Sequence, residues 1–457
     1  MSTAAAEAHP HEPGKAREAF RAVTRDVAWV AEAPKPHKAW LVALAISILA
    51  FAWGIYSIYK LLWTGIGVWG NSNTVAWAWD ITNFVWWIGI GHAGTLISAV
   101  LYLTRQTWRV SINRSAEAMT IFAVMAAGLF PLLHTGRPWF AWWMIPLPND
   151  MGSMWPQFRS PLMWDVFAVT TYLTTSVLFW YMGMVPDLAT FRDRCVAQGK
   201  NIRAIIYGVL ALGWRGSARD WRTYKAAYLI MAGIMAPMVV SVHSIVGLDF
   251  AAGIIAGWHS TQWPPYFFIG ALYSGWAIVL VLIIPMRRLY RLERLITERH
   301  LNVIAKLMLT TGLMLAYCYL MDAMDAFYTG EAAKSTAFKT SAFGPYAAAY
   351  WARNTLNIFL PQLLWLPFVR RSQPMLFCLG LGVVVGMWLE RYNFVVSALS
   401  TDYTPSEWYL YNATFWDWAI LAGSVGLVMT GFFLFIRFFP VISMFEIREV
   451  VEKARTE

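Results

Sequence analysis

Residues 40–63 read WLVALAISILAFAWGIYSIYKLLW, an apolar run that contains a single charged side chain, Lys60. A helix needs about 20 predominantly apolar residues to cross the hydrocarbon core of a bilayer, and this run is long enough. Similar runs recur along the chain, which is 58% hydrophobic and 14% charged, with a mean hydropathy of +0.47 and 27 Trp. This composition predicts an all-α, polytopic membrane protein.

About ten transmembrane helices are predicted, and an even number places both termini on one side of the membrane. The predicted spans are residues 40–63, 75–103, 116–136, 161–184, 224–247, 265–286, 303–326, 346–369, 374–396 and 415–437. Basic residues are concentrated in both tails and in the loops that share their side, above all in residues 192–225. The positive-inside rule therefore places both termini in the cytoplasm. Because the net charge of +10 is spread among these loops instead of forming one patch, we expect no nucleic-acid partner.

An internal repeat divides the predicted spans into two sets. Residues 88–94 read IGIGHAG in the second span, and residues 269–275 read IGALYSG in the sixth. We interpret this as two parallel four-helix bundles, formed by spans 2–5 and 6–9, with coincidence as the alternative because glycine is common in membrane helices. The predicted organisation is an amino tail (1–39), a first helix (40–63), a first bundle with the site (75–247), a second bundle (265–396), a tenth helix (415–437) and a carboxyl tail (438–457).

The polar segments outside the spans are short. The first 39 residues lack the apolar core of a secretory signal, so we expect the first span itself to act as the membrane signal. Residues 16–32 place apolar side chains at helical spacing, which is equally compatible with an interfacial helix and with a plain surface helix. The basic loop 185–222 is predicted to be cytoplasmic, and neither it nor the tails is large enough for a separate catalytic domain.

The cysteines do not form a metal-binding pattern. Cys195, Cys318 and Cys378 lie far apart in the sequence and belong to no CxxC or CxxCH motif. We therefore expect no metal or haem in this chain, so that any metal redox centre belongs to a partner. Neither GxxxxGK[ST] nor a GxGxxG after a strand occurs, which argues against an ATP-driven pump.

Three titratable residues, His134, Asp165 and Asp249, fall near the ends of successive spans on the predicted outer side. Ionisable side chains at membrane depth usually serve a partner, a cavity or a proton path. Oxidation of a quinol releases two protons with two electrons, and an imidazole or carboxylate near each hydroxyl can accept the protons. We therefore expect these three residues to be catalytic and to bind the quinol together with Arg137. The alternative is that they pair locally and that the nearby Trp and Tyr form an interfacial belt.

Further ionisable residues lie within the spans or at their ends. His92, His243, Asp322, Asp325 and Glu390 are candidates for a proton path, although the sequence indicates no continuous route. Asp322 and Asp325 are spaced i, i+3 and could face one another. One rival function is a cytochrome b-like subunit with His92 and His243 as axial haem ligands, but the predicted topology places these residues at different depths. The other is a secondary transporter without a redox role.

Four segments carry a resemblance to a known family. They are Gly89-Ile-Gly-His-Ala-Gly94, His134-Thr-Gly-Arg-Pro138, Ser160-Pro-Leu-Met-Trp-Asp165 and the outer Asp249. Together they resemble the NrfD/PsrC-like, quinol-interacting membrane subunits, over roughly residues 38–440. Within that family the length, the ten spans and the basic tails are most similar to the ActC-type subunits of alternative complex III, with the related ActF type as the alternative.

The resemblance implies a subunit of a respiratory oxidoreductase in the bacterial inner membrane. It implies oxidation of menaquinol to menaquinone near the extracytoplasmic face, with His134, Asp165 and Asp249 binding the quinol head and accepting its protons. Electrons would pass to an extracytoplasmic iron–sulfur subunit and onward to multihaem cytochrome c subunits. A homologous ten-helix membrane subunit is a further implied partner, and proton translocation is possible in this family.

Overall fold

The computed structural model describes residues 13–33, 35–145 and 161–456, and this part of the chain is a bundle of long helices. Nine of the described helices are long and apolar enough to cross a membrane, which confirms the predicted all-α polytopic fold class. The helices are α1 (Pro13–Glu32), α2 (Lys38–Thr64), α3 (Trp79–Leu103), α4 (Asn113–His134), α5 (Pro161–Ala197), α6 (Asn201–Leu210), α7 (Ala218–Ala251), α8 (Trp263–Leu289), α9 (Glu298–Tyr328), α10 (Ala332–Phe343), α11 (Ala347–Asn354), α12 (Pro367–Arg371), α13 (Gln373–Tyr392), α14 (Phe415–Phe438) and α15 (Met444–Thr456).

The predicted eighth span, residues 346–369, is not a regular helix. After α11 it continues as a π-helical turn over Thr355–Phe359 and a 3₁₀ helix over Leu360–Trp365. Pro361 has no backbone N–H, so it cannot bond to the Asn357 carbonyl as a continuous α-helix requires. The Tyr273 hydroxyl donates to that carbonyl instead, at 3.0 Å. The prediction of an uninterrupted helix is therefore wrong here, because the hydrogen-bonding pattern changes to π- and 3₁₀-helical turns around Pro361.

The composite segment nevertheless crosses the bundle. α1 packs against α14 and α15, so the first and last helices lie at one end, which we call the termini end. Arg370 lies there, since its Nε donates to Asn302 Oδ1 near the start of α9, at 3.1 Å. Tyr346 lies at the opposite end, which we call the site end, where its hydroxyl contacts Ser400 Oγ at 2.6 Å. With this segment, the described part of the chain makes ten passes; which side of the membrane each end faces stays a prediction.

Helix α3 forms the centre of the molecule. It packs against α4, α7, α8 and α13, and 83% of its most apolar window is buried, compared with 17% for α2. Small residues make this close packing possible, because a Cβ atom on Gly94 would overlap the Ala116 carbonyl oxygen. A Cβ atom on Gly275 of α8 would likewise overlap the Cβ of Ala93. The backbones of α3 and α8 therefore approach so closely that only the Ala93 methyl group lies between them at this point.

Helices α2 and α14 form an antiparallel pair at the side of the bundle. Gly54 and Gly423 face each other, and a Cβ atom on either would overlap the other's backbone. The pair is also joined by hydrogen bonds from Trp40 Nε1 to the Phe433 carbonyl at 3.1 Å and from Ser57 Oγ to the Trp416 carbonyl at 3.0 Å. α14 packs against α4, which attaches the pair to the first set of helices.

The amino-terminal helix differs from the interfacial helix that the sequence allowed. Val27 and Val30 of α1 are completely or almost completely buried, because the apolar face packs against the protein instead of facing a membrane surface. The interfacial prediction for residues 16–32 is therefore wrong.

The predicted loop 185–222 contains more helix than expected, since α5 extends to Ala197 and α6 follows.

Buried ion pairs hold the termini end together. Arg114 Nη1 contacts Glu117 Oε2 at 3.1 Å, and its Nη2 donates to the Gly183 carbonyl at 2.6 Å. Arg109 Nη2 contacts Glu446 Oε2 at 2.6 Å, which fastens α15 to the bundle. A charge away from water is stable only with such partners, so these pairs fix the positions of α4, α5 and α15 relative to one another.

We expect Gly275→Ala to destabilise the protein by roughly 1–3 kcal/mol, because the new methyl group can be placed only if α3 and α8 move apart. The measurement is thermal unfolding of the purified protein in detergent, with Gly128→Ala as the matched control. No atom lies within 4 Å of a Cβ built on Gly128, so that variant should unfold like the wild type. Equal unfolding temperatures for both variants would contradict the packing described here.

Candidate functional site

Two carboxyl groups meet at the site end of the first set of helices. Asp165 lies one turn after the start of α5, and Asp249 lies in the last turn of α7. Because α5 and α7 pack against each other, the two carboxyl groups lie close enough to interact electrostatically. Two buried carboxylates this close repel each other unless one of them carries a proton. Asp165 and Asp249 are therefore neighbours, and their joint role in a site stays a prediction.

Each of these carboxyl groups also has one oxygen atom without a hydrogen-bond partner in the described part of the chain. Asp165 Oδ1 and Asp249 Oδ1 are buried and have no hydrogen-bond partner in the described part of the chain. Buried polar atoms in proteins are nearly always hydrogen-bonded, so an unpartnered pair of this kind indicates a missing polar group. The pair can therefore accept hydrogen bonds from a ligand hydroxyl or from water.

His134 forms a second pair at the same end. It is the last residue of α4, and its Nδ1 lies 2.5 Å from Oδ2 of Asp80, in the first turn of α3. Asp80 is itself fixed, because its Oδ1 accepts hydrogen bonds from the backbone N–H groups of Ala78 and Ile81 at 3.0 and 2.8 Å. With Nδ1 engaged, Nε2 is the imidazole nitrogen that can meet a ligand. About a quarter of the His134 side chain, 26%, is exposed, which gives the ring access to the surface.

Asp80 is the site residue that the sequence reasoning missed. It opens the apolar run of the second span, where an acidic residue in the first helical turn is ordinarily explained by the helix dipole. One feature of the sequence could have identified Asp80 as a site residue: it lies at the same predicted membrane surface as His134. Asp80 is almost completely buried, and a buried carboxylate needs a partner, but the identity of that partner depends on how α3 and α4 pack.

The predicted site residues are therefore arranged as two pairs instead of one triad. The described residues include no hydrogen bond or ion pair that joins His134–Asp80 to Asp165–Asp249. That both pairs face one pocket stays a prediction, supported by their location at the starts of α3 and α5 and the ends of α4 and α7. Arg137 is exposed beyond the end of α4. Ser160 of the sequence motif lies outside the described residues.

A buried histidine pair lies deeper in the same set of helices. His92 Nδ1 is 2.5 Å from the Ile88 carbonyl oxygen and 3.2 Å from His243 Nδ1, and the His92 ring stacks on Tyr172 with centroids 4.4 Å apart. The two histidines lie at the same depth, so the prediction that they occupy different halves of the membrane is wrong. Both Nε2 atoms are buried without a partner in the described part of the chain.

The two histidine rings meet directly in this structure. The Nδ1 atoms of His92 and His243 lie 3.2 Å apart and the ring centroids 4.6 Å apart. The geometry thus pairs the two histidines with each other, and the absence of haem from this chain stays a prediction.

The other candidate proton-path residues are paired in the second set of helices. Glu390 Oε1 accepts from Arg391 Nη1 at 3.0 Å, and the Arg391 guanidinium lies 4.2 Å from the centre of the Phe267 ring. Asp325 forms an ion pair with Lys334. Asp322 lies in the field of Arg353 and Lys334 as well as of Asp325, so cations and not only the neighbouring carboxylate surround it. Within the described residues, no group of three His, Cys, Asp or Glu side chains is placed to hold a metal ion.

Sequence comparisons place most of the chain in one protein family. Residues 67–401 match the sequence model of the family described as "Polysulphide reductase, NrfD". The chain is 25% identical over 248 residues to a Halobacterium salinarum protein named as a membrane subunit of dimethyl sulfoxide reductase, a match that covers 53% of the chain and 50% of the relative. It is 22% identical over 410 residues to a protein of Mesobacillus selenatarsenatis named as a subunit of selenate reductase, covering 85% of the chain and 92% of the relative. The chain thus spans about half the length of the first relative.

We expect Asp249→Leu to destabilise the protein by about 1–3 kcal/mol, because it leaves the buried Asp165 carboxyl group without a partner. Asp249→Asn should cost less, since an amide can still donate a hydrogen bond to Asp165. Thermal unfolding in detergent measures both, and Asp193→Leu, at a carboxylate that is 67% exposed, serves as the control. If Asp249→Leu and Asp193→Leu unfold at the same temperature, the buried pair does not exist.

Proposed function

The chain belongs to the NrfD polysulphide reductase family, and on this premise we propose that it is the quinol-binding membrane subunit of a respiratory oxidoreductase. The proposal includes a location in the bacterial inner membrane, with the termini end in the cytoplasm and the site end at the extracytoplasmic face. Its relatives are named as subunits of reductases, and a reductase consumes electrons. The direction proposed for this protein is therefore oxidation of the quinol.

The observation that carries the proposal is the buried Asp165–Asp249 pair with two unpartnered oxygen atoms. A quinol presents two hydroxyl groups on an apolar ring, and its oxidation breaks both O–H bonds. Each hydroxyl oxygen becomes a carbonyl, two protons leave and two electrons pass to a partner. The carboxyl pair supplies acceptors for one hydroxyl proton, in a position at the membrane surface where an apolar tail can remain among the helices.

His134 would accept the second proton. Asp80 holds the imidazole through Nδ1, so Nε2 faces outward as the base, and Asp80 stabilises the imidazolium that forms. Because part of the His134 ring is exposed, the proton can leave toward the site end without crossing the membrane. We assign proton acceptance to His134 and the Asp165–Asp249 pair, and orientation of the base to Asp80.

The finer proposal follows from the sequence resemblance. In it the substrate is menaquinol and the assembly is alternative complex III, with an iron–sulfur subunit receiving the electrons and multihaem cytochrome c subunits carrying them onward. The membrane part would also include a homologous ten-helix subunit. Proton translocation would use the buried His92–His243 dyad and the Glu390–Arg391 pair, whose unpartnered atoms are suited to exchange protons with water.

We expect His134→Ala and Asp249→Asn each to weaken binding of a quinol analogue at least tenfold, because each removes a group that contacts the quinol head. The measurement is a fluorescence-quenching titration of the purified complex with a hydroxyquinoline N-oxide. Asp325→Asn is the matched control, since its ion pair with Lys334 lies in the other set of helices. Unchanged affinity in both site variants, with the complex intact, would place the quinol site elsewhere.

We expect Asp80→Asn to lower the rate of quinol oxidation by roughly 10- to 100-fold while changing the quinol KM little, because the orienting partner of the base is lost. The assay follows reduction of an artificial electron acceptor by the purified complex. Asp402→Asn, in the segment before α14, is the control. An Asp80→Asn enzyme with wild-type turnover would mean that Asp80 only caps α3.

A further inference from the structure

Helix α6 carries an apolar face that nothing in the described part of the chain covers. Ile202, Ile205, Ile206 and Val209 follow the i, i+3, i+4, i+7 spacing of one helical stripe. Their exposed fractions are 76%, 67%, 52% and 70%. This is the opposite of α1, whose apolar face is packed against the protein. The stripe therefore favours an apolar environment beyond the described part of the chain.

The position of α6 indicates that this environment is lipid. The helix packs against the carboxyl-terminal half of α5, with the Tyr181 hydroxyl donating to the Leu210 carbonyl at 2.6 Å. The Tyr207 hydroxyl donates to the carbonyl of Phe438, where α14 ends, at 2.8 Å. α6 thus lies at the level where the membrane-spanning helices end. Aliphatic side chains on the spans themselves, such as Ile230 of α7, are exposed to a similar degree.

A cationic cavity lies at the first turn of α6. It has a volume of about 750 Å³ and is lined by Lys200, Arg203 and Arg437 together with Glu32. The carboxylate in this lining does not cancel the cations, because Arg194 donates to both oxygens of Glu32 at 2.7 and 2.6 Å. Burial would raise the pKa of Glu32, but the hydrogen bond and charge of Arg194 outweigh it and lower that pKa.

The cationic side chains of this cavity have N–H groups that are not engaged in hydrogen bonds within the described residues. Arg437 Nη2 donates to the Ala33 carbonyl at 2.9 Å, which holds the guanidinium at the cavity wall. Lys200 Nζ donates to Gln198 Oε1 at 2.7 Å and has further donors. Arg203 forms no hydrogen bond or ion pair within the described residues. A phosphate group, which offers several acceptor oxygens and negative charge, matches these donors.

We propose that α6 inserts its Ile202, Ile205, Ile206 and Val209 face into the adjacent leaflet and that the cavity beside it binds the phosphate-bearing headgroup of an anionic phospholipid. The apolar stripe and the cations are adjacent, so one lipid molecule satisfies both: its acyl chains run along the exposed stripe and its headgroup reaches Lys200, Arg203 and Arg437. The site is separate from the quinol site, which lies at the other end of the helices.

Binding of a phospholipid headgroup in the cavity is tested by native mass spectrometry of the purified complex. The complex is titrated with phosphatidylglycerol, phosphatidylcholine or inorganic phosphate. Each cation near a lipid surface contributes about 1 kcal/mol, so Lys200→Gln with Arg203→Gln should weaken phosphatidylglycerol binding roughly tenfold to thirtyfold. Arg294→Gln with Arg299→Gln, which removes the same charge from another basic loop at the termini end, should leave it unchanged.

Three results would overturn the headgroup assignment. Equal loss of phosphatidylglycerol binding in both double variants would reduce it to a general charge effect. Displacement of the lipid by inorganic phosphate, or equal binding of phosphatidylcholine, would indicate a free-anion site or an unselective surface. Selective loss in the Lys200 and Arg203 variant alone supports the proposal.

Insertion of the apolar face of α6 into the leaflet is tested by photocrosslinking. A benzophenone amino acid is placed at Ile205 and the complex is irradiated in phosphatidylglycerol nanodiscs. We expect a phospholipid adduct, identified by mass, and no such adduct when the same amino acid replaces Glu293, an exposed loop residue at the termini end. An adduct with another protein of the complex would show that protein covers the stripe, and the absence of any adduct at Ile205 would show that water does. Either result overturns insertion of α6.

Discussion

The close approach of α3 to its neighbours is the constraint on which the rest of the structure depends. A membrane helix gains no hydrophobic stabilisation by leaving lipid for another apolar helix, so close van der Waals contact must hold it. Gly94 and Gly275 allow that contact, because neither can carry a Cβ atom where it lies. α3 in turn positions Asp80 at the site end and His92 in the interior, and both meet their partners only because the backbones lie this close.

Hydropathy predicted the helices well, and it failed where backbone chemistry or packing intervened. Nine spans were found because each needs a long apolar run, whereas the eighth contains Pro361, whose effect on the hydrogen bonds a hydropathy average does not register. Amphipathic spacing alone also could not distinguish α1 from α6. Both have an apolar stripe, but which stripe the protein covers depends on how α14 and α15 pack over α1, which is a property of the tertiary structure.

The candidate site was predictable as a set of residue types and not as a set of pairs. Asp165 and Asp249 were identified because carboxyl groups near membrane depth are rare, and they do meet. The partner of His134 was not identified, because rotation of α3 about its axis decides whether Asp80 faces α4 or solvent. The two buried histidines illustrate the same limit of sequence: their spacing along the chain does not show that they meet, and only the packing of α3 against α7 brings their Nδ1 atoms to 3.2 Å.

The glycine contact between α3 and α8 has a mechanical consequence. Carriers that work by alternating access need two halves that rock across a smooth interface. Here the halves interlock at Ala93 and Gly275, and sliding or tilting one past the other would drive a methyl group into a backbone. The contact is thus suited to hold α3 and α8 in one relative position.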